Sequence, residues 1–203
     1  MKSLSLSKPH LIVMVGIAGA GKSFFAEQFA ETFQAPLVSA EQTEHVLHRT
    51  TNDPKTVKVA SDLLIKRQLS QLFKTKHSII VDGSSDTRTE RLEFAKLARA
   101  HHYEIMFIWV QTEPVTAKQR AIKSRRAHPH KPAISSEQYD VAVRRFTTPN
   151  TLEKPLVISG KHTYASQAKI VLRKLAEPRS EMSTVSAPPV RNRRTAGRSI
   201  LIR

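Results

Sequence analysis

One short segment near the start of the chain constrains the fold more than any other part of the sequence. Residues 16–23 match the pattern G-x-x-x-x-G-K-[ST] at every specified position. An apolar, β-branched run over residues 11–15 precedes the segment, and Phe25, Phe29 and Phe33 follow it at helical spacing. Because the pattern belongs between a strand and a helix, we predict an α/β protein whose first strand-to-helix loop is this segment.

Five short apolar runs recur along the chain and are separated by longer helical patterns. They cover residues 11–15, 36–38, 78–81, 105–110 and 156–158. Their almost continuous apolar character is typical of strands that are covered on both faces. The alternation of such runs with helical patterns predicts βαβ units around a parallel sheet.

The helical patterns carry recognisable start signals. Asp53-Pro54 pairs an N-cap residue with a proline suited to the first helical position. Ser135 and Gln138 have the spacing of a capping box. The inward stripe predicted for the helix that begins at Pro54 consists of Val57, Ala60, Leu64 and Leu72.

The charge of the chain is strongly positive. It has 33 Lys and Arg against 17 Asp and Glu, a formal net charge of +16, which favours nucleotides, nucleic acid or acidic membranes as partners. The absence of cysteine excludes disulfides, thiolate zinc sites and cysteine catalysis, and fits a cytoplasmic protein. No run of eighteen apolar residues occurs, so we predict no membrane insertion.

The composition changes at residue 177. Residues 177–203 contain three Pro, repeated Ser and Thr, and six Arg against two Glu. A segment with few apolar residues and high charge cannot bury enough surface to fold alone. We therefore predict one folded domain over residues 1–176 and a basic, disordered tail over residues 177–203.

The chemistry of residues 16–23 points to a polyphosphate ligand, and we call this segment the phosphate loop. Its glycines allow successive backbone N–H groups to face one concavity beside a helix N-terminus. Lys22 would reach the β and γ oxygens of a nucleoside triphosphate, and the Ser23 hydroxyl would bind Mg²⁺. The candidate nucleotide-binding residues are Gly16, Ile17, Ala18, Gly19, Ala20, Gly21, Lys22 and Ser23.

A second metal ligand is expected at the end of a neighbouring strand. Asp82 follows the apolar run 78–81, on the carboxyl side where parallel sheets gather their ligands. We predict that Asp82 and Ser23 hold the magnesium ion. The alternative is that Asp82 caps a turn, since Gly83-Ser84-Ser85 follows it.

Over residues 10–176 the sequence resembles P-loop kinases of the polynucleotide-kinase, zeta-toxin and gluconate-kinase type, which are often described as small AAA-family ATP-binding proteins. Besides the phosphate loop, the resemblance rests on residues 35–39, 80–83, Arg88, Arg91, 109–112, Arg120, Arg125-Arg126 and 135–149. It implies a three-layer P-loop NTPase fold with five parallel strands in the order 2-3-1-4-5 and a mobile basic lid. It also implies transfer of the ATP γ-phosphoryl group to a hydroxyl.

The same resemblance would make Arg120, Arg125 and Arg126 the lid arginines. Cations at these positions would stabilise the negative charge of a phosphoryl group in transfer. The alternative is that they lie on a solvated helix face, because Lys118 and Lys123 flank Arg120.

The sequence departs from the family pattern on the acceptor side. Family members usually carry Ser-x-Asp after the second strand, with the Asp as general base and an Arg three positions later. Here the segment is Ser39-Ala40-Glu41, and Glu44 stands at the later position. Glu41 would be the general base with a side chain one methylene longer. Alternatively, both are first-turn acids favoured by the helix dipole.

Two functions follow from these patterns. The first is an ATP-dependent phosphotransferase that acts on a hydroxyl of a small molecule or a nucleic-acid end, using Lys22, Glu41, Asp82 and the three arginines. The second is a nucleotide-binding module without productive transfer, which docks to nucleic acid or protein through its basic surface and tail. The sequence contains no recognised motif for reading RNA or DNA.

Overall fold

The computed structural model describes residues 8–51, 53–123 and 134–177. The basic lid predicted around Arg125 and Arg126 lies outside the described residues, as does the predicted tail from residue 178 onward. Within the described ranges no helix is both long and apolar enough to cross a bilayer.

Five parallel strands form one sheet at the centre of the molecule. They are β1 (His10–Val15), β2 (Leu37–Ser39), β3 (Ile79–Asp82), β4 (Glu104–Gln111) and β5 (Leu156–Ser159). Their order is β2-β3-β1-β4-β5, which confirms the predicted topology. Val13 of β1 lies in register with Val81 of β3 on one side and Phe107 of β4 on the other, so β1 is central and the loop that follows it lies at the middle of the carboxyl edge.

In the described part of the chain, seven α-helices connect or follow these strands. They are α1 (Lys22–Phe33), α2 (Ala40–Leu47), α3 (Pro54–Leu72), α4 (Arg88–Ala100), α5 (Pro114–Lys123), α6 (Ser136–Arg145) and α7 (Tyr164–Ala176). The predicted start signals are confirmed: Asp53 accepts hydrogen bonds from two backbone N–H groups of α3, and Ser135 and Gln138 form a capping box on α6.

The core has two layers, one on each face of the sheet. Val13 and Val81 face the side where Leu69 of α3 and Phe94 of α4 are buried. The alternate strand residues face the other side, where Phe25 and Phe29 of α1 and Val171 of α7 are buried. This arrangement of helices on both faces is the predicted three-layer α/β fold.

The stripe predicted for α3 is partly wrong. Val57 is buried as expected, but Leu64 is 44% exposed. The buried line instead advances in steps of four residues through Ser61, Ile65 and Leu69. A line of residues four apart is inclined to the helix axis, so the buried face of α3 leaves Leu64 outside it.

Candidate functional site

The phosphate loop connects β1 to α1 in a conformation that glycine favours. Gly16, Gly19 and Gly21 have φ values of +147°, +75° and +106°, where side chains are strained. A Cβ on Gly16 would lie 2.6 Å from the Val110 carbonyl oxygen, and one on Gly19 would lie 2.0 Å from the Ala117 carbonyl oxygen. The loop therefore packs directly against the backbone of β4 and α5.

The N-terminus of α1 has the features of an anion site. The N-cap residue is Gly21, which has no side chain to accept a hydrogen bond from the first turn. That turn also contains no acidic residue. Helices α2, α3, α4 and α6, in contrast, are each capped by a side chain. The first N–H groups of α1 thus lack a side-chain acceptor, and they can bind a phosphate at the positive end of the helix dipole.

The ammonium group of Lys22 lies over the beginning of the phosphate loop. Its Nζ donates hydrogen bonds to the carbonyl oxygens of Gly16 at 2.6 Å and Ile17 at 3.1 Å. A lysine ammonium has three N–H donors, so the third is available for a phosphate oxygen.

Ser23 and Asp82 have the chemistry of a magnesium site. Asp82 ends β3 beside Met14 of β1 and is only 6% exposed, yet its carboxylate makes no hydrogen bond or ion pair with any described residue. Carboxylate oxygens that no described group occupies can bind a metal ion at this edge of the sheet. A hydroxyl and a carboxylate suit Mg²⁺, which usually keeps water and phosphate oxygens as its remaining ligands.

Since no described N–H group donates to the Asp82 carboxylate, that carboxylate does not cap a turn within the described ranges. Those ranges also contain no group of three or more His, Cys, Asp or Glu that could hold a metal. The two oxygen ligands therefore fit an ion that also depends on the nucleotide for its coordination.

The residues that follow β4 and β5 contact the phosphate loop directly. The Thr112 hydroxyl donates to the Ala20 carbonyl at 2.8 Å. The exposed Arg120 guanidinium donates to the Gly160 carbonyl at 2.9 Å, and a Cβ on Gly160 would lie 2.1 Å from the Ala20 carbonyl oxygen. Arg120 is thus placed next to the phosphate loop, while Arg125 and Arg126 are not among the described residues.

A surface pocket of about 560 Å³ lies on this β4–β5 side. Its walls include Ile17 of the phosphate loop and the apolar side chains of Trp109, Phe146 and Val157. An ion pair between Lys161 and Glu113, 2.7 Å long, stands at the pocket, and the hydrogen bond from Lys161 lowers the pKa of Glu113. Sequence reasoning missed this pocket, because Phe146 and Val157 come from separate elements.

The start of α2 lies on the opposite side of the phosphate loop. Ser39 is in register with Asp82, and a Cβ on Gly83 would lie 2.6 Å from the Ala40 Cβ. Glu41, the second residue of α2, is therefore held close to the residues that follow β3. It is half-buried and lies in the first turn of a helix capped by Ser39, so the geometry suits both roles considered for it.

A polar cluster near Glu44 was not predicted from the sequence. Lys58 Nζ donates to Asp62 Oδ1 at 3.1 Å and to Ser84 Oγ at 3.0 Å, and Ser84 Oγ donates to Asp62 Oδ1 at 3.1 Å. Burial raises the pKa of the neighbouring Glu44, Lys58 opposes that rise, and Asp62 and Glu41 add to it. The spacing of Lys58 and Asp62 is visible on a helix, but the contact with Ser84 spans 26 residues.

Arg91, one of the residues that carried the family resemblance, is part of the core. Its side chain is fully buried and forms an ion pair with Glu153 at 2.6 Å. It also donates to the carbonyl oxygens of Ser85 and Asp86. Since the Ser85 hydroxyl donates to the Met14 carbonyl at 2.6 Å, Arg91 holds the loop that follows Asp82 against β1.

Solved structures similar to this one include two kinases and one protein provisionally assigned as a kinase, all of low sequence identity. One from Chloroflexus aurantiacus j-10-fl, provisionally assigned as a kinase, is 16% identical with a TM-score of 0.67 over 84% of this chain and 100% of that chain. The Mycobacterium tuberculosis APS kinase CysC in complex with AMPPNP and APS is 16% identical, with a TM-score of 0.62 over 84% and 99%. A gluconokinase from Sinorhizobium meliloti 1021 is 16% identical, with a TM-score of 0.56 over 83% and 92%.

No curated protein matches the sequence of this chain. The family model AAA_33, described as an AAA domain, matches residues 11–149. That match begins in β1, includes the phosphate loop, Glu41, Asp82 and Arg120, and spans more than half of the chain. The chain therefore belongs to the AAA_33 family of AAA domains and has the fold of a small P-loop kinase.

Proposed function

We propose that this protein is a kinase that binds ATP with Mg²⁺ and transfers the γ-phosphoryl group to a hydroxyl of a small molecule or a nucleic-acid end. One observation carries the proposal: the N-terminus of α1, which no side chain caps, the Lys22 ammonium and the Asp82 carboxylate, which has no partner among the described residues, lie at one edge of the sheet. The kinases of similar structure support it, one of which was solved with AMPPNP and APS.

Ser23 and Asp82 would hold the magnesium ion, which supplies positive charge to the β and γ oxygens when bound. The N–H groups of the phosphate loop and the third N–H of Lys22 bind the same oxygens from the protein side. These donors are fixed before the nucleotide arrives, so little reorganisation is needed for catalysis.

We assign the nucleotide and the acceptor to opposite sides of the phosphate loop. The pocket with Trp109 and Phe146 lies beyond β4 and offers aromatic surface for the nucleoside. Glu41 lies beyond β3 and offers a carboxylate to the acceptor. With this division, the γ-phosphoryl group would lie between its leaving group and the attacking hydroxyl, as in-line transfer requires.

In the transfer step the acceptor oxygen forms a bond to the γ-phosphorus while the bond to the β–γ bridging oxygen breaks. The hydroxyl proton passes to a carboxylate oxygen of Glu41, and ADP leaves with the electron pair of the broken bond. Arg120, together with Arg125 and Arg126 of the predicted lid, would stabilise the charge on the transferring group.

The test is transfer of label from γ-labelled ATP to panels of nucleosides, sugars and oligonucleotide ends in the presence of Mg²⁺. Glu41→Gln should lower turnover about 100-fold or more, because a positioned base contributes that much, while ATP affinity stays the same. The matched control is Glu31→Gln, at an exposed position on α1, which should leave turnover unchanged. Full activity in Glu41→Gln would refute the base assignment.

Binding of ATP without transfer to any acceptor would favour the alternative of a nucleotide-controlled docking module. Binding of nucleic acid through the basic surface, and a cytoplasmic location, stay predictions of the sequence.

A further inference from the structure

Positive charge is concentrated where α3 and α4 end, at the amino edge of the sheet and opposite to the phosphate loop. Residues 66–77 and 93–102, all of them described, contain six Lys or Arg and one Glu. These two stretches therefore hold five of the 16 net positive charges of the chain. We call this surface the α3–α4 basic face; its cations, all exposed, are Lys66, Arg67, Lys74, Lys76, Lys96 and Arg99.

Contacts between the two stretches make this face one continuous surface. Lys66 Nζ forms an ion pair with Glu93 Oε2 at 2.9 Å. The rings of Phe73, directly after α3, and His101, directly after α4, stack with their centroids 4.4 Å apart. With a rise of 1.5 Å per residue, these two contacts are about 10–12 Å apart along the helices. The cations thus lie on one strip formed by both helices.

The stability of the fold does not account for these cations. Glu93 is the only carboxylate of the face, and no carboxylate of a described residue forms an ion pair with the cations other than Lys66. The helix dipole favours cations in the last turn of a helix, and of the six only Arg99 stands in the last turn of α3 or α4. Lys96 and Arg99 are three residues apart on α4, where like charges repel each other.

The α3–α4 basic face lacks the apolar surface that a protein or a bilayer would need. No large apolar side chain of residues 66–77 or 93–102 is exposed. Protein interfaces have an apolar core, and helices that lie on membranes insert apolar side chains. The exposed residues between the cations include Gln68 and Gln71, whose amides can donate hydrogen bonds to phosphate oxygens.

We propose that the α3–α4 basic face binds the phosphate backbone of a nucleic acid without reading its sequence. A strip of about 10–12 Å spans about three successive phosphates of one strand at a rise of 3.4 Å each. The phenyl rings of the face, Phe73 and Phe94, are buried, so it offers no exposed phenyl ring on which bases would stack. This site is independent of the proposed kinase function, because it lies at the opposite edge of the sheet from the phosphate loop.

Fluorescence anisotropy of labelled single strands of RNA and DNA, about 20 nucleotides long, tests the proposal with the full chain. Each strand is used in two unrelated sequences, and NaCl is varied between about 50 and 200 mM. We expect affinities within about threefold of each other for the two sequences, and a steep fall in affinity as the salt concentration rises, because contacts to phosphates release counterions.

Variants assign the binding to the face. The double variant Lys96→Gln with Arg99→Gln should weaken RNA binding about tenfold or more and reduce the salt slope by about 1.4, since each phosphate contact to a single strand contributes about 0.7. The matched control, Lys169→Gln with Arg173→Gln, removes the same charge from exposed positions of α7, which packs on the other face of the sheet. It should change the affinity less than about threefold. Glu93→Gln removes the only carboxylate of the face and should tighten binding about twofold or more.

Several results would overturn the proposal. They are absence of oligonucleotide binding at about 50 mM NaCl, unchanged affinity in the α4 double variant, and an equal loss in the α7 control. Binding to vesicles that contain phosphatidylserine, without binding to either oligonucleotide, would indicate a membrane partner instead. Calorimetry should give the α4 double variant the ATP affinity of the wild type, and a loss of ATP binding would contradict the separation of the two sites.

Discussion

Replacing Arg91 by methionine tests how the loop after β3 is held in position. The fully buried guanidinium donates from Nε and Nη2 to the two carboxylate oxygens of Glu153 at 2.6 and 3.2 Å. Its Nη1 donates to the carbonyl oxygens of Ser85 and Asp86 at 3.1 and 3.2 Å. Methionine has a similar length but no donor, so the substitution leaves a carboxylate and two carbonyls without these partners.

The expected loss of stability follows from burial. Removing one partner of a buried ion pair costs about 3–5 kcal/mol, because the other charge stays behind uncompensated. The Glu153 side chain is 13% exposed, so water relieves part of this cost, and we expect Arg91→Met to lower the free energy of unfolding by about 3–4 kcal/mol. With a urea m-value of about 2 kcal/mol/M, the unfolding midpoint falls by about 1.5–2 M.

Urea unfolding followed by circular dichroism measures this change. The control is Arg99→Met on the same helix, where the side chain is exposed and the expected effect is within about 0.5 kcal/mol. The double variant Arg91→Met with Glu153→Leu should recover part of the lost unfolding free energy, because it also removes the carboxylate that Arg91→Met leaves unpaired. If Arg91→Met lowers the free energy of unfolding by less than about 1 kcal/mol, the buried Arg91 side chain does not stabilise the loop after β3 as argued.

Two further predictions concern Glu153 and Gly19. Burial raises the pKa of Glu153, but hydrogen bonds from Arg91 and Asn150 outweigh burial and hold the pKa below its ordinary value of 4.5. The ionised carboxyl therefore adds stability above about pH 4.5 and loses it as the pH falls through the folded pKa. The stability difference between the wild type and Glu153→Gln should shrink in urea titrations below that pH, and a constant difference would contradict this. Gly19→Ala should lower the unfolding free energy by about 2 kcal/mol or more and weaken ATP binding. The added Cβ would lie 2.0 Å from the Ala117 carbonyl oxygen, at a φ of +75°. ATP affinity equal to that of the wild type in calorimetry would contradict this prediction.

The features that could be predicted from the sequence are those with a local cause. A run such as residues 78–81 is apolar because both of its faces are covered, and Asp53 caps α3 through N–H groups two and three residues away. The phosphate loop was predictable for the same reason, since strand, glycines and helix are contiguous. The strand order followed from the family resemblance, not from any local pattern.

The features that could not be predicted depend on contacts between distant residues. Lys58 and Ser84 are 26 residues apart, and Arg91 and Glu153 are 62 apart. The sequence around Arg91 does not distinguish an arginine buried in the core from an exposed arginine of the lid. Leu64 is exposed because the buried face of α3 runs through Ser61, Ile65 and Leu69, and that face is set by the elements that α3 packs against.

Titration of ATP into the full chain by calorimetry, with Mg²⁺ present, tests the central claim most directly. We predict one ATP site in the wild type, and affinity at least about tenfold weaker in Lys22→Ala, since that variant lacks the ammonium at the phosphate loop. Lys96→Ala, at an exposed position on α4, should bind like the wild type. Absence of ATP binding by the folded wild type, or equal affinity in Lys22→Ala, would contradict the account.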